Sequence, residues 1–274
     1  MNQWPSWLPL RQNLQELSAY GAPQLPADAV MNTNENPYPP SAALAKAIAD
    51  RISEVAPTLN RYPDRDALVL RDKLADFING LSRTKFGSAN VWAANGSNEI
   101  IQSLFMAFGS GSALGFTPSY SMHPLIAKVT GVSWINGSRR EDFTLDYDSA
   151  LAQIQREKPV LTFITTPNNP TGSSLSINEI EKLAKATPGL LVIDEAYAEF
   201  SSETSAVTLI AQYPNLIVIR TMSKAFAFAG ARVGYLVSDS AVKDAMMLVR
   251  LPYHLSALTQ AAASVAIDFK DELL

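Results

Sequence analysis

The chain has 274 residues, 47% of them hydrophobic and 18% charged, with a formal net charge of −4 and a pI near 5.3. That length supports a sizeable core, and the acidic balance offers no basic face for nucleic acid or an anionic membrane. Cysteine is absent, and histidine occurs only at His123 and His254 with no HExxH pattern, which removes disulfides, thiolate chemistry and an ordinary catalytic zinc site.

In chain order, the first stretch, "MNQWPSWLPLRQNLQELSAYG", has no basic n-region and no apolar h-region, so it does not read as a signal peptide. No apolar run approaches the ~20 residues of a membrane span, and the expectation is a cytoplasmic protein. The "KDEL" at Lys270–Leu273 is followed by Leu274 and is not a terminal retention signal. Residues 1–40 are rich in Pro and Asn and read as an irregular arm. Ser41 is an N-cap candidate for the helix "AALAKAIADRI", and a polar turn, "NRYPDRD", leads into the helix "ALVLRDKLADFIN".

Short apolar runs then recur at 91–94, 112–116, 132–135, 160–165, 190–194, 216–220 and 233–237. Segments of helical periodicity lie between most of them: "NEIIQSLFMAF", "MHPLIAKVT", "DSALAQIQRE", "INEIEKLAKAT" and "AVTLIAQY". This alternation predicts an α/β fold, a mostly parallel seven-stranded sheet with helices on both faces. The loop between the last two runs is too short for a helical crossover, so the seventh strand is expected antiparallel to the sixth. A helix "SAVKDAMMLV" follows, and a further one from about Ala257 to Leu274 meets no Gly or Pro stop signal. The division expected is an arm over 1–40, a large ligand-binding domain over 41–253, and a linker helix over 254–274 that begins a C-terminal domain whose remainder is absent.

In open α/β sheets ligands bind beyond the carboxyl ends of the strands. Those ends carry "NGSNE", "TPSY", "TTPNNPTG", "DEAY" and "TMSKAF". In "NGSNE", small residues precede a helix whose free N–H groups suit a phosphate; Ser97 or Asn98 acting as a simple N-cap is the equal alternative. Ser223 and Arg232 are able to converge on the same phosphate, as hydroxyl donor and bidentate guanidinium. Asp194 ends a buried run and needs a cationic partner, either a protonated ring nitrogen or a nearby Lys or Arg. Asn169 and Tyr197 supply neutral donors, and Tyr120 a flat ring. Lys224, taken alone, reads as a solvated surface lysine. Beside these residues it describes a site for a phosphorylated, aromatic, nitrogen-containing cofactor, pyridoxal 5'-phosphate (PLP), joined to the lysine amine. Rival motifs fail: "GSGSAL" lacks the third glycine of GxGxxG, and the SxxK match "SRTK" has no companion SDN or KTG.

The stretches "TPNNPTG", "DEAYAEF" and "RTMSKAFAFAGARVGY" resemble the fold-type-I PLP-dependent aminotransferases. "LSAYGAPQL", "NTNENPYPP", "NRYPDRD" and "RLPYHLSALTQAA" are similar to the histidinol-phosphate aminotransferase branch, from about residue 10 to 274. The resemblance implies amino transfer between histidinol phosphate and 2-oxoglutarate in histidine biosynthesis, by a homodimer with shared active sites. It implies that Lys224 carries PLP and shuttles the substrate proton; the neighbouring charge of Arg232 and the low-dielectric site are expected to keep the amine's pKa low. Asp194 would pair with the ring nitrogen, Asn169 and Tyr197 with the ring hydroxyl, and Tyr120 would stack. Ser97, Asn98, Ser223 and Arg232 would hold the phosphate, joined by Tyr62 of the partner subunit, while Tyr20 and Tyr253 would line the substrate pocket. The family's carboxylate-binding arginine lies beyond residue 274. An aromatic amino-acid aminotransferase and a non-catalytic PLP-binding fragment are the alternatives, and threonine-phosphate decarboxylases share most of the motifs.

Overall fold

A computed structural model describes residues 4–274; residues 1–3 of the expected arm lie outside the described residues. Up to residue 40 the only regular element described is a 3-10 turn at Gln12–Leu14. Helix α1 spans Ala42–Val55, and Ser41 caps it as expected, its side chain accepting from Leu44 N–H at 3.1 Å. Helix α2 (Leu68–Ser82) leads to the sheet.

The strands are β1 (Val91–Ala94), β2 (Ser112–Thr117), β3 (Ser133–Ser138), β4 (Leu161–Thr165), β5 (Leu190–Asp194), β6 (Leu216–Thr221) and β7 (Gly234–Ser238). Between and after them run α3 (Ser97–Phe108), α4 (Met122–Thr130), α5 (Tyr147–Glu157), α6 (Ile177–Ala186), α7 (Ser240–Val249) and α8 (Ala257–Asp268). The sheet order is β1-β7-β6-β5-β4-β2-β3. From β6 to β3 every pairing is parallel, while β7 is antiparallel to both of its neighbours, β6 and β1. Its insertion between them was not expected from the sequence.

Alternation along each strand splits the core into two layers. Val91, Leu216 and Val218 face one side, with Leu70 and Leu74 of α2, Ile154 of α5, Leu183 of α6 and Ala263 of α8. Trp92, Ile217 and Ile219 face the other, with Ile100 and Leu104 of α3, Ile126 of α4 and Met246 of α7. Each fully buried Leu or Ile contributes roughly 1.5–3 kcal/mol over its exposed state, so both helical layers are held mainly by these contacts.

Three expectations change in detail. The edge strand β3 continues through the polar Asn136–Ser138, because ladder pairing with β2 holds it where hydrophobicity gives no sign. The segment "AVTLIAQY" forms only a 3-10 turn at Ala206–Leu209. There Glu195 accepts from Ser205 Oγ and Ala206 N–H, each at 2.7 Å, and Pro214 follows before β6, so a longer helix has no room. The last helix breaks at Phe269 before a short turn, Lys270–Leu273, whose Glu272 accepts from Ser41 Oγ at 2.9 Å.

Candidate active site

The carboxyl ends of β1, β2, β4, β5 and β6 open on one cavity of about 1210 Å³. Because β7 runs the other way, its amino end reaches the same edge and delivers Arg232, two residues before it. The cavity is lined by Tyr20, Ser97, Asn98, Tyr120, Asn169, Asp194, Tyr197, Ser223, Lys224 and Arg232, ten of the twelve residues singled out from the sequence. Tyr62 and Tyr253 lie outside this lining and stack on each other, with ring centroids 4.5 Å apart.

Lys224 Nζ donates to the backbone carbonyls of Thr33 and Asn34 at 2.9 and 3.0 Å and lies 5.6 Å from the Tyr197 ring centroid. Burial pushes its pKa below the usual lysine value; Glu35 opposes this and Arg232 adds to it. The direction is the one expected from the sequence, with burial the larger cause. A larger fraction of neutral amine, able to form a covalent bond or take a proton, follows at neutral pH.

At the inner end, the Asp194 side chain is 2% exposed and sits 3.0 Å from His123 Nε2, with its other oxygen accepting Ala196 N–H at 3.1 Å. His123 was not singled out from the sequence as a site residue. Its place three residues after Tyr120, at the start of α4, was the available sign, and the two rings meet edge to face with centroids 5.4 Å apart. Tyr197 Oη accepts from Asn34 Nδ2 at 3.1 Å and Asn169 Nδ2 at 3.3 Å, which leaves its own proton to donate. Tyr120 Oη donates to Asn98 Oδ1 at 3.1 Å, and its pKa is pushed up to about 12, chiefly by burial and then by Asp194.

At the outer end, α3 begins after Gly96, which has no side chain to cap it, so neither Ser97 nor Asn98 acts as the N-cap. Gly96 sits at φ +81°, and a Cβ there would fall 2.5 Å from Arg232 Nη2. A Cβ on Gly234 would fall 2.4 Å from Ser97 N. Two glycines therefore let the helix start, the guanidinium and the head of β7 close on one another. The Ser97 and Asn98 N–H groups, the Ser223 hydroxyl and the Arg232 guanidinium are all donors, and they suit a phosphate dianion. A buried carboxylate, an anion cradle and a lysine amine that line one cavity fit the ring nitrogen, the phosphate and the aldehyde of PLP.

Beneath the site, Arg220 pairs with Glu195 Oε2 at 2.8 Å and Glu199 Oε1 at 2.9 Å, all three side chains buried. Glu195 follows Asp194, and Arg220 precedes Thr221–Lys224, so this cluster ties together the strand ends that carry the site.

The family described as "Aminotransferase class I and II" matches residues 29–273. Histidinol-phosphate aminotransferase of Thermobifida fusca (strain YX) is 54% identical over 272 residues, covering 97% of this chain and 73% of that protein. The Mycobacterium marinum enzyme of the same name is 53% identical, with 97% and 71% covered. Among solved structures, histidinol-phosphate aminotransferase from Sinorhizobium meliloti in complex with pyridoxal-5'-phosphate superposes with TM-score 0.77 at 26% identity, covering 88% of this chain and 65% of that one. The chain thus spans 73% and 71% of the length of these two relatives. With that match and this geometry together, the chain belongs to the class I and II aminotransferase family.

Proposed function

We propose that this chain uses PLP to move an amino group from L-histidinol phosphate to 2-oxoglutarate, giving imidazole-acetol phosphate and L-glutamate. The observation that carries the reading is a half-buried lysine amine on one cavity with a buried carboxylate and an uncapped helix start. The named relatives at 53–54% identity support the substrate.

Ser97, Asn98, Ser223 and Arg232 would hold the phosphate of PLP, Asp194 its ring nitrogen, Asn169 and Tyr197 its ring hydroxyl, and Tyr120 its face. When bound, PLP supplies an electron sink for the bonds at the substrate's Cα. Lys224 would hold the cofactor through its amine, and as a neutral amine it would take up and return the proton at the substrate's Cα. Asp194 would face the ring nitrogen, and His123, 3.0 Å away, would fix the orientation of that carboxylate. Tyr120 stays protonated at neutral pH and holds Asn98 in place.

The same reading divides the chain into an arm over 1–40, a PLP-binding domain over 41–253 and a linker helix over 254–274. It makes the active form a cytoplasmic homodimer, with Tyr62 serving the other subunit's phosphate. Tyr62 is 80% exposed and outside its own cavity, where it stacks on Tyr253. Among the described residues no helix is long and apolar enough to cross a membrane. The test is kcat/KM for histidinol phosphate against phenylalanine with 2-oxoglutarate as acceptor. A preference for histidinol phosphate is expected, and a preference for phenylalanine refutes the substrate.

A further inference from the structure

The turn between β1 and α3 is gripped by residues that do not line the cavity. Asn95 donates its backbone N–H and its Nδ2–H to Glu99 Oε2, at 2.5 and 2.9 Å. Asn95 Nδ2 also donates to the backbone carbonyl of His254, 159 residues downstream, at 2.9 Å. His254 Nε2 lies 2.9 Å from the carbonyl oxygen of Ala93 in β1. A carbonyl only accepts, so Nε2 carries the proton. The His254 ring also packs on Trp92, with centroids 5.6 Å apart. Neither Asn95, Glu99 nor His254 lines the cavity.

The turn needs such a grip. Its helix cap is Gly96, which forms no side-chain cap and has the largest conformational freedom to lose on ordering. The side chain of Glu99, at the third helical position, would ordinarily bring negative charge close to the N–H groups that receive an anion. Two Asn95 donors engage one of its oxygens instead. His254 grips the strand just before the turn and Asn95 grips the turn itself, so the segment before α8 brackets the helix start on both sides.

We propose that Asn95, Glu99 and His254 are positioning residues for the phosphate site: they fix the β1–α3 turn so that the Ser97 and Asn98 N–H groups meet the phosphate preorganised. This rests on the PLP reading given above. A loosened turn has to be ordered again by each phosphate that binds, and the cost appears only in ligands that carry one.

The experiment compares equilibrium affinities for PLP and for pyridoxal, the same aldehyde without phosphate, by absorbance titration of the ligand-free protein. Asn95→Ala is expected to weaken PLP about tenfold and pyridoxal less than about twofold, the size of one charge-assisted hydrogen bond. Glu99→Gln keeps an acceptor oxygen for Asn95 and is expected to hold PLP within about twofold of wild type. His254→Phe keeps the ring contact with Trp92 but loses the Nε2 donor, and supplies the same comparison if Asn95→Ala does not fold. Equal losses for both aldehydes, or unchanged PLP affinity in Asn95→Ala and His254→Phe, overturn the proposal. Wild-type protein that binds neither aldehyde would instead overturn the reading of the cavity, so the two failures are distinct.

Discussion

His123 Nε2 and Asp194 Oδ2 lie 3.0 Å apart with both side chains almost wholly buried. The carboxylate's only other hydrogen bond among the described residues is from Ala196 N–H. His123→Phe fills the same space and removes the partner, so the Asp194 carboxylate loses one of its two hydrogen bonds and is left to reorient. The expected outcome is retained cofactor and kcat lowered about tenfold, measured at saturating PLP and substrates. Unchanged kcat would show that the imidazole does not position Asp194.

Lys224→Ala should give a colourless protein with no borohydride-reducible adduct, because among the described residues no other lysine lines the cavity. Peptide mapping of the reduced wild-type protein should place the label on Lys224. A label on another lysine sinks the site assignment. Since Arg232 helps to lower the Lys224 pKa, Arg232→Gln should move the pH profile of pyridoxal capture to higher pH.

The Arg220 cluster sets a stability prediction. Arg220→Met strands two buried carboxylates, at a cost of about 3–5 kcal/mol. Burial already raises the Glu199 pKa despite Arg220. An acid raised in the folded state destabilises it when ionised, so the loss should be larger at pH 8 than at pH 5. Thermal melts across that range provide the check, and a loss independent of pH would contradict it.

Much of the architecture is legible because strand alternation and helical spacing are dictated by burial on a two-faced sheet. The antiparallel turn of β7 follows from loop length alone. Its place between β1 and β6 does not, since that depends on which edge is free when it pairs. Lys224, Asp194 and Arg232 are legible as ends of strands. His123 is not, because a lone histidine within a helix has the same local pattern whether it packs in the core or reaches a carboxylate. Tyr62 and Tyr253 are singled out only through the resemblance, and only coordinates place them against each other and off the cavity.

Asp66 offers a pH test at the same corner. Its carboxyl is held at about 2, below its ordinary 3.8, by the hydrogen bond from Arg65 and then Arg250, against an opposing burial effect. A depressed folded value means the stabilisation is complete above about pH 4 and is lost as the pH falls toward 2. Asp66→Asn should therefore lower stability by on the order of 1 kcal/mol near neutral pH. That difference should vanish in acid; a constant difference down to pH 2 would contradict it.

If Tyr62 serves the partner's phosphate, Tyr62→Phe should weaken PLP retention, and mixing it with Lys224→Ala chains should restore part of the activity. Each hybrid dimer then contains one intact site. Verified heterodimers with no recovery would argue against sharing.

The reversed direction of β7 has one more consequence. Lys224 and Arg232 sit on a single hairpin connection, eight residues apart. The amine and the guanidinium are thereby tethered by a short leash whose two ends are pinned in adjacent, hydrogen-bonded strands. Their separation is set by local chain geometry, independently of how the distant helices pack. A one-residue insertion between them would shift one cation relative to the other without disturbing the sheet. Length variation should therefore be far less tolerable in this connection than in the loop between β3 and α5, which carries none of the cavity's groups.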